Sequence, residues 1–239
     1  MRSDEVAGAL VEFADTLVAE FDIVEFLQRL TDRCVELLPV DAAGLVLADT
    51  AGRSQVLAAT SDDARLVELI QLHLEEGPCV ECLRDGQPVD VGDVAHAGQR
   101  WPRFSPALLR LGFHAVQALP LRRRSDVIGA MNLFRTTPGE LDAPTVRIAR
   151  AFTDVATIGL LQQRARREQE LLVEQLQTAL ASRVLIEQAK GVLAERLKLG
   201  TEQAFTLLRQ HARSRNHRLT DLARAVIEGH ADLSRPGSA

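Results

Sequence analysis

Between Asp4 and Leu38 apolar residues return every three or four positions, first as Val6, Leu10, Phe13 and Leu17, then as Ile23, Phe26, Leu27, Leu30, Val35 and Leu38. That spacing lines one face of a helix, so two amphipathic helices are predicted, ending at Pro39. The period then changes. Ala42–Ala48 and Gln55–Ala59 are short apolar runs on either side of Asp49-Thr50-Ala51-Gly52-Arg53, a composition suited to a hairpin turn. Arg65–Leu74 returns to helical spacing until Gly77-Pro78 breaks it, and Pro88–Val91 predicts a short strand. Ala115–Arg122 and Asp126–Phe134 predict a longer strand pair joined by Arg123-Arg124-Ser125. This order predicts an antiparallel sheet with helices packed on it, an α+β module.

The rest of the chain reads as helix. From Leu141 to Leu180 the only breakers are Pro144, tolerated near a helix start, and Gly159. Gln162–Glu170 is almost wholly polar, yet Leu161, Ala165, Leu172, Leu176 and Ala179 keep a spacing compatible with heptads. Both a solvated linker helix and one member of a dimeric coiled coil fit that seam. Three shorter helices follow: Ser182–Lys198 with Ile186, Ala189, Leu193 and Leu197 inward; Thr201–Arg215, capped by Thr201, with Ala204, Leu208 and Ala212 inward; and Leu219–Glu228 with Leu222, Ala223 and Val226 inward. Gly200 stands where a helix stop belongs, and Pro236-Gly237-Ser238-Ala239 reads as a frayed end. The expected domains are residues 1–158, a linker helix over 159–180 and a helical bundle over 181–232.

Composition sharpens the division. The 239 residues are 46% hydrophobic and 26% charged, the balance of a globular chain, and no apolar run approaches the length needed to span a bilayer. Acidic residues near the N-terminus speak against a secretory signal, and three cysteines give no disulfide framework, so a cytoplasmic location is expected. The net charge of −5 hides a split: residues 1–160 hold 15 Arg against 24 acidic groups, while residues 161–239 hold 13 basic against 9 acidic groups. Within 181–219 the basic residues are Arg183, Lys190, Arg196, Lys198, Arg209, Arg213, Arg215 and Arg218, against Glu187, Glu195 and Glu202. A nucleic acid or an acidic protein would be attracted there.

Candidate chemistry is sparse. Cys79 and Cys82 form a Cys-x-x-Cys just after Pro78; in the first turn of a helix the dipole would lower their thiol pKa and open redox or metal chemistry. No second cysteine pair completes a zinc site, so structural cysteines and no metal are expected. Both lysines, Lys190 and Lys198, lie in the C-terminal part, which leaves the first 189 residues without a phosphate loop or a receiver-type aspartate and lysine site. No nucleophile elbow or Ser/His/Asp order is present, and no enzyme is expected. Arg183 and Lys190 share a helix face, with Glu187 between them able to complete an ion-pair ladder; Arg209, Arg213 and Asn216 form a second row. Gly191 inside a helix needs an offsetting reason, close packing or the close approach of a ligand backbone. Phe205 fits the core better than a base-stacking platform.

The run Ser182-Arg183-Val184-Leu185-Ile186-Glu187-Gln188-Ala189-Lys190-Gly191-Val192-Leu193, with Ala204-Phe205, Leu208-Arg209, Ala212, Asn216, Leu219 and Leu222-Ala223, resembles the ANTAR family of RNA-binding antiterminators. Gly77-Pro78-Cys79, Asp93, Arg100-Trp101-Pro102, Phe104 and Gly129-Ala130-Met131-Asn132-Leu133-Phe134 resemble the GAF domain that precedes ANTAR in many actinobacterial regulators. The resemblance implies an α+β GAF sensor domain, a long linker helix and an all-α three-helix ANTAR domain. It further implies a homodimer that binds paired RNA stem-loops in nascent transcripts and favours antitermination. The implied RNA-binding residues are Arg183, Lys190, Gly191, Arg196, Arg209, Arg213, Arg215 and Arg218, and the implied sensor pocket holds Cys79, Cys82, Trp101, His114 and Asn132. The GAF signal, a small molecule or a redox input, is left open. No motif assigns a cofactor; haem would need His73 or His114. The competing readings are a GAF-type free methionine sulfoxide reductase and a DNA-binding sensor.

Overall fold

The structure is a computed structural model that describes residues 3–48, 53–124, 126–231 and 233. The hairpin turn expected at 49–53 lies largely outside the described residues, as do Ser125 of the second turn and the end expected to fray at 236–239. Chain order is α1 (Ser3–Val18), α2 (Ile23–Leu37), β1 (Ala42–Ala48), β2 (Ser54–Ala59), α3 (Asp62–Leu74), α4 (Pro78–Asp85), β3 (Val89–Val91), a 3₁₀ turn (Val94–Ala97), α5 (Phe104–Arg110), β4 (Ala115–Arg123), β5 (Asp126–Arg135), α6 (Ala143–Leu197), α7 (Thr201–Ser214) and α8 (Leu219–Ile227). The chain divides into two compact units, residues 1–164 and 165–239.

In the first unit the five strands pair antiparallel in the order β2-β1-β5-β4-β3. Alternation along each strand sends successive side chains to opposite faces, and here both faces are covered. Ala43, Leu45, Leu119, Leu121, Met131 and Leu133 join one core with Phe13 of α1, Phe26 and Leu30 of α2 and Phe152 of α6. Ala42, Val46, Val116, Ala118, Ala130 and Phe134 join the other with Val67 of α3, Cys79 and Cys82 of α4, and Phe104 and Leu108 of α5. Burial on both sides explains why β1 and β5 read as apolar runs rather than as an alternation. Phe13 anchors the first core by edge-on packing with Phe26 at 5.6 Å and Phe152 at 6.1 Å.

Two helix expectations are corrected. The new helix expected at Ser182 does not begin there, because α6 runs unbroken over 55 residues. Ser182 Oγ instead donates to the Thr178 carbonyl at 2.7 Å, a mid-helix bond to the preceding turn. Thr201 is the first residue of α7 rather than its cap; Gly200 caps, and its N–H donates to Gln203 Oε1 at 3.0 Å.

In the second unit Ala189 and Leu193 of α6, Ala204, Leu208 and Ala212 of α7, and Leu222, Ala223 and Val226 of α8 form one small core. These are the inward residues the periodicity predicts, except that Ile186 and Leu197 only flank the cluster. Between the two cores α6 is bare: every residue from Leu171 to Ala181 is exposed.

Candidate nucleic-acid interface and sensor core

The bundle presents its arginines outward. Arg183, Arg209, Arg213, Arg215 and Arg218 are exposed, as is Gly191, where an added Cβ would meet nothing within 4 Å. Helix packing therefore gives no reason for that glycine. Lys190 is placed differently: its side chain is only 12% exposed, its ammonium bonds both Glu187 oxygens at 3.0 Å, and it lies 5.4 Å from the Phe205 ring. The ion-pair ladder thus exists between Glu187 and Lys190. Arg196 Nη1 donates to the Val226 carbonyl at 3.3 Å, tying α6 to the end of α8. Asn216 does not continue the Arg209 and Arg213 row, because it lies past the end of α7 with φ 53. The left-handed turn there lets the His217 N–H reach the Ala212 carbonyl at 2.9 Å.

The sensor-side residues fall into a sealed polar cluster and its surroundings. Glu68 and Gln71 of α3 sit on the helix face with Ala64 and Val67, aimed at the sheet and 0% exposed. Asn132 Nδ2 donates to Glu68 Oε1 at 2.7 Å and Oε2 at 2.8 Å, and Gln71 Nε2 donates to Oε2 at 3.1 Å. The Cys79 N–H donates to Gln71 Oε1 at 2.9 Å, and the Cys79 thiol hydrogen-bonds Glu68. Asn132 Oδ1 is buried with no hydrogen-bond partner among the described residues. Two glycines make room. A Cβ on Gly44, the β1 partner of Asn132, would collide with Glu68 Oε1, and one on Gly77, held at φ +123, would collide with Gln71 Oε1.

Burial pushes the Glu68 carboxyl up to about 8, although the bonds from Asn132, Cys79 and Gln71 favour the charged form. The same burial, with the neighbouring Glu68 charge, pushes the Cys79 thiol well up, and Cys82 rises to about 12, mainly through burial. The thiol pKa lowering expected from the α4 dipole is thereby overturned. Pro78 does open the helix, but desolvation outweighs the dipole. Neither thiol has the accessible, ionised form that a sulfoxide reductase needs.

Of the other expected pocket residues, Trp101 is buried edge-on against Phe104 at 6.2 Å, with the Arg100 guanidinium 4.5 Å from its ring. Arg100 also pairs with Glu81 of α4, fastening the loop over that helix. His114 is half-buried at the start of β4, where its carbonyl accepts from the Val94 N–H at 2.9 Å, and His73 is exposed on α3. Neither belongs to the cluster around Glu68, and neither placement suits an enclosed haem ligand. On the other side of the sheet a cleft of about 260 Å³ lies between β4 and α6, with Arg122, Arg150 and Asp154 among its lining residues. Glu68 and Gln71 escaped the sequence reading. Their signal was two polar residues on the inward stripe of α3.

A sealed α+β sensor core and a small helical bundle with exposed arginines define a signal-responsive regulator rather than an enzyme. The chain belongs to the GAF domain family, whose model matches residues 22–161, and it carries an ANTAR domain over residues 174–227. No curated protein matches it. Among solved structures, the GAF domain of a phosphoenolpyruvate-protein phosphotransferase from Coxiella burnetii is similar at TM-score 0.55 and 15% identity, covering 70% of this chain and 99% of that one. The corresponding domain from Acinetobacter gives TM-score 0.54 at 11% identity, over 69% of this chain and 97% of that one. Free methionine-R-sulfoxide reductase from Neisseria meningitidis, in complex with its substrate, gives TM-score 0.54 at 17% identity, over 70% and 96%. At such identities the likeness shows the fold alone. Among the described residues no helix is long and apolar enough to cross a membrane, and no group of three or more His, Cys, Asp or Glu is placed to hold a metal.

Proposed function

We propose that the chain binds paired stem-loops in nascent RNA and favours antitermination, with residues 1–158 sensing a signal, 159–180 acting as a linker and 181–232 contacting the RNA. The observation that carries this reading is the set of exposed arginines, Arg183, Arg209, Arg213, Arg215 and Arg218, on the bundle formed by the end of α6, α7 and α8. RNA is a polyanion, and guanidinium groups exposed on a surface supply affinity and register through phosphate contacts. Arg196, itself exposed, ties α6 to the end of α8 through the Val226 carbonyl, and Gly191 leaves the backbone of α6 open to close approach. Sequencing RNA crosslinked to the protein in its native cell tests this. Recovery of paired hairpins upstream of terminators is expected, and recovery of unstructured RNA or none would overturn it.

The same reading makes the protein a homodimer through α6. Leu172, Leu176 and Leu180 are each more than half exposed and lie with Ala179 on a stretch whose every residue is exposed. A second copy would cover that seam as a coiled coil and bring two RNA-binding bundles to one transcript. Sedimentation of wild type and of Leu172→Glu/Leu176→Glu tests it. A dimer lost in the double variant is expected, and a wild-type monomer at micromolar concentration would overturn it.

A further inference from the structure

The cleft between β4 and α6 has its origin in the sheet. β3 pairs with β4 only from Val116 to Ala118, whereas β4 continues to Arg123 alongside β5. From Leu119 onward one edge of β4 has no neighbouring strand among the described residues, and Pro120, which lacks an N–H, is tolerated at such an edge. Leu119 and Thr153 of α6, both buried, line the cleft from beneath, and its volume of about 260 Å³ suits only a small ligand.

The charged residues of this cleft stand apart from the ion pairs found elsewhere in the same unit. Arg29 and Arg33 pair with Glu12, Arg84 with Asp85 and Arg100 with Glu81. Among the described residues no ion pair or side-chain hydrogen bond engages Arg122, Arg150 or Asp154, all of which line the cleft. The contrast is sharpest on α6. Arg150 and Asp154 are four residues apart there, a spacing at which opposite charges can meet, yet they do not pair.

Two guanidiniums and one carboxylate beside the apolar surface of Leu119 and Pro120 have a definite complement: two carboxylates, one ammonium and a short hydrocarbon stem. A plain dicarboxylate meets repulsion from Asp154, and a diamine meets repulsion from both arginines. An amino acid with a single carboxylate leaves one guanidinium unmatched. We propose that this cleft binds an amino dicarboxylic acid of the size of glutamate or aspartate, with a carboxylate at each of Arg122 and Arg150 and the ammonium at Asp154. Two of these three groups stand on α6, the helix that also supplies Ala189 and Leu193 to the second core. Occupancy is a signal only if the sensing role proposed above for residues 1–158 holds; binding itself does not depend on that role.

Isothermal titration calorimetry of the full chain with L-glutamate and with L-aspartate, at an ionic strength of about 0.1 M, tests this. Saturable binding of at least one of them is expected, with a Kd of about 1 mM or below, within reach of a ligand of so few atoms. The matching dicarboxylate, glutarate or succinate, lacks the ammonium and should bind about tenfold more weakly, the value of one charge-assisted hydrogen bond. Arg150→Gln should weaken the amino acid by a similar factor. Asp154→Asn should weaken the amino acid yet leave the dicarboxylate unchanged or tighter, because that ligand has no ammonium to lose. Both positions are exposed, so the variants should match wild type by circular dichroism. No binding of either amino acid at about 10 mM, equal affinity of wild type for amino acid and dicarboxylate, or unchanged affinity in Arg150→Gln would each overturn the proposal. Failure of the sensing role looks different: the amino acid binds with this pattern but leaves affinity for RNA recovered by crosslinking unchanged, and the site stands.

Discussion

The two cores of this chain handle polar groups in opposite ways. The GAF core takes a carboxyl, two amides and a thiol inside and seals them, with Glu68, Gln71, Asn132 and Cys79 all at 0% exposure. The ANTAR core is built of alanine, leucine and valine, and its arginines are left in water. Desolvated groups respond to proton activity and to shape, and are hidden from salt; exposed cations respond to salt and to polyanions. Each domain should therefore answer to a different variable in solution.

The largest expected effect comes from pH acting on Glu68. Its folded pKa of about 8, above the ordinary 4.5, means that the folded chain keeps a proton the unfolded chain releases. Stability should then fall as pH rises from about 4.5 to 8 and level off above, because the unfolded state binds fewer protons across that window. Each tenfold change in proton affinity is worth about 1.4 kcal/mol, so the loss is on the order of a few kcal/mol. Denaturant unfolding of Glu68→Gln should show little of this slope and greater stability than wild type at pH 8.5. Parallel curves for the two proteins would break the contrast.

Glycine substitutions sharpen the comparison at a smaller scale. Gly44→Ala drives a methyl into the Glu68 carboxyl and should lower GAF stability by about 1–3 kcal/mol. Gly191→Ala meets open space in the middle of α6 and should raise bundle stability by up to about 1 kcal/mol while weakening RNA binding. Calorimetry on both variants checks the opposite signs.

Salt separates the bundle's own residues. Arg183→Ala should make the slope of log affinity against log salt shallower by about one contact, or ~0.7 on single-stranded RNA. Lys190→Ala should change that slope less and cost more helix stability, because Lys190 is already engaged with Glu187 and packed near Phe205. Equal slopes for wild type and a folded Arg183→Ala would put the RNA surface on another face. The smallest expected effect is none at all: mild oxidant should leave RNA binding unchanged in wild type, Cys79→Ser and Cys82→Ser, since both thiols are buried and protonated. An oxidant response abolished by either serine would show that the GAF core opens.

The sheet, the paired helices before it and the inward faces of α7 and α8 were legible because burial imposes a period on sequence. Ala204, Leu208 and Ala212 are visible as a stripe before any coordinate is known. What escaped was decided by contacts distant in sequence. Short α5 begins two residues after Pro102 and carries Pro106 in its first turn, and its start is held by Glu76, which accepts from the Arg103 and Phe104 N–H groups, a partner no local pattern announces. The redox alternative for Cys79 rested on the helix dipole, a local property of sequence, whereas the enclosure by α3 and β5 that raises its thiol pKa is not local. In the bundle the basic residues were legible as a charge cluster. Their division into the exposed Arg183, the ion-paired Lys190 and the capping Arg196 required the fold.

In the proposed dimer the exposed stretch of α6 from Leu171 to Ala181 would tie local order to the amount of protein present. Every residue of that stretch is exposed, so the persistence of those turns rests on residue propensity and, in the dimer proposed above, on mass action by the second copy. In that dimer, dilution would loosen the segment and abundance would firm it. The number of copies in the cell would then become an input to the regulator alongside the signal its sensor reads.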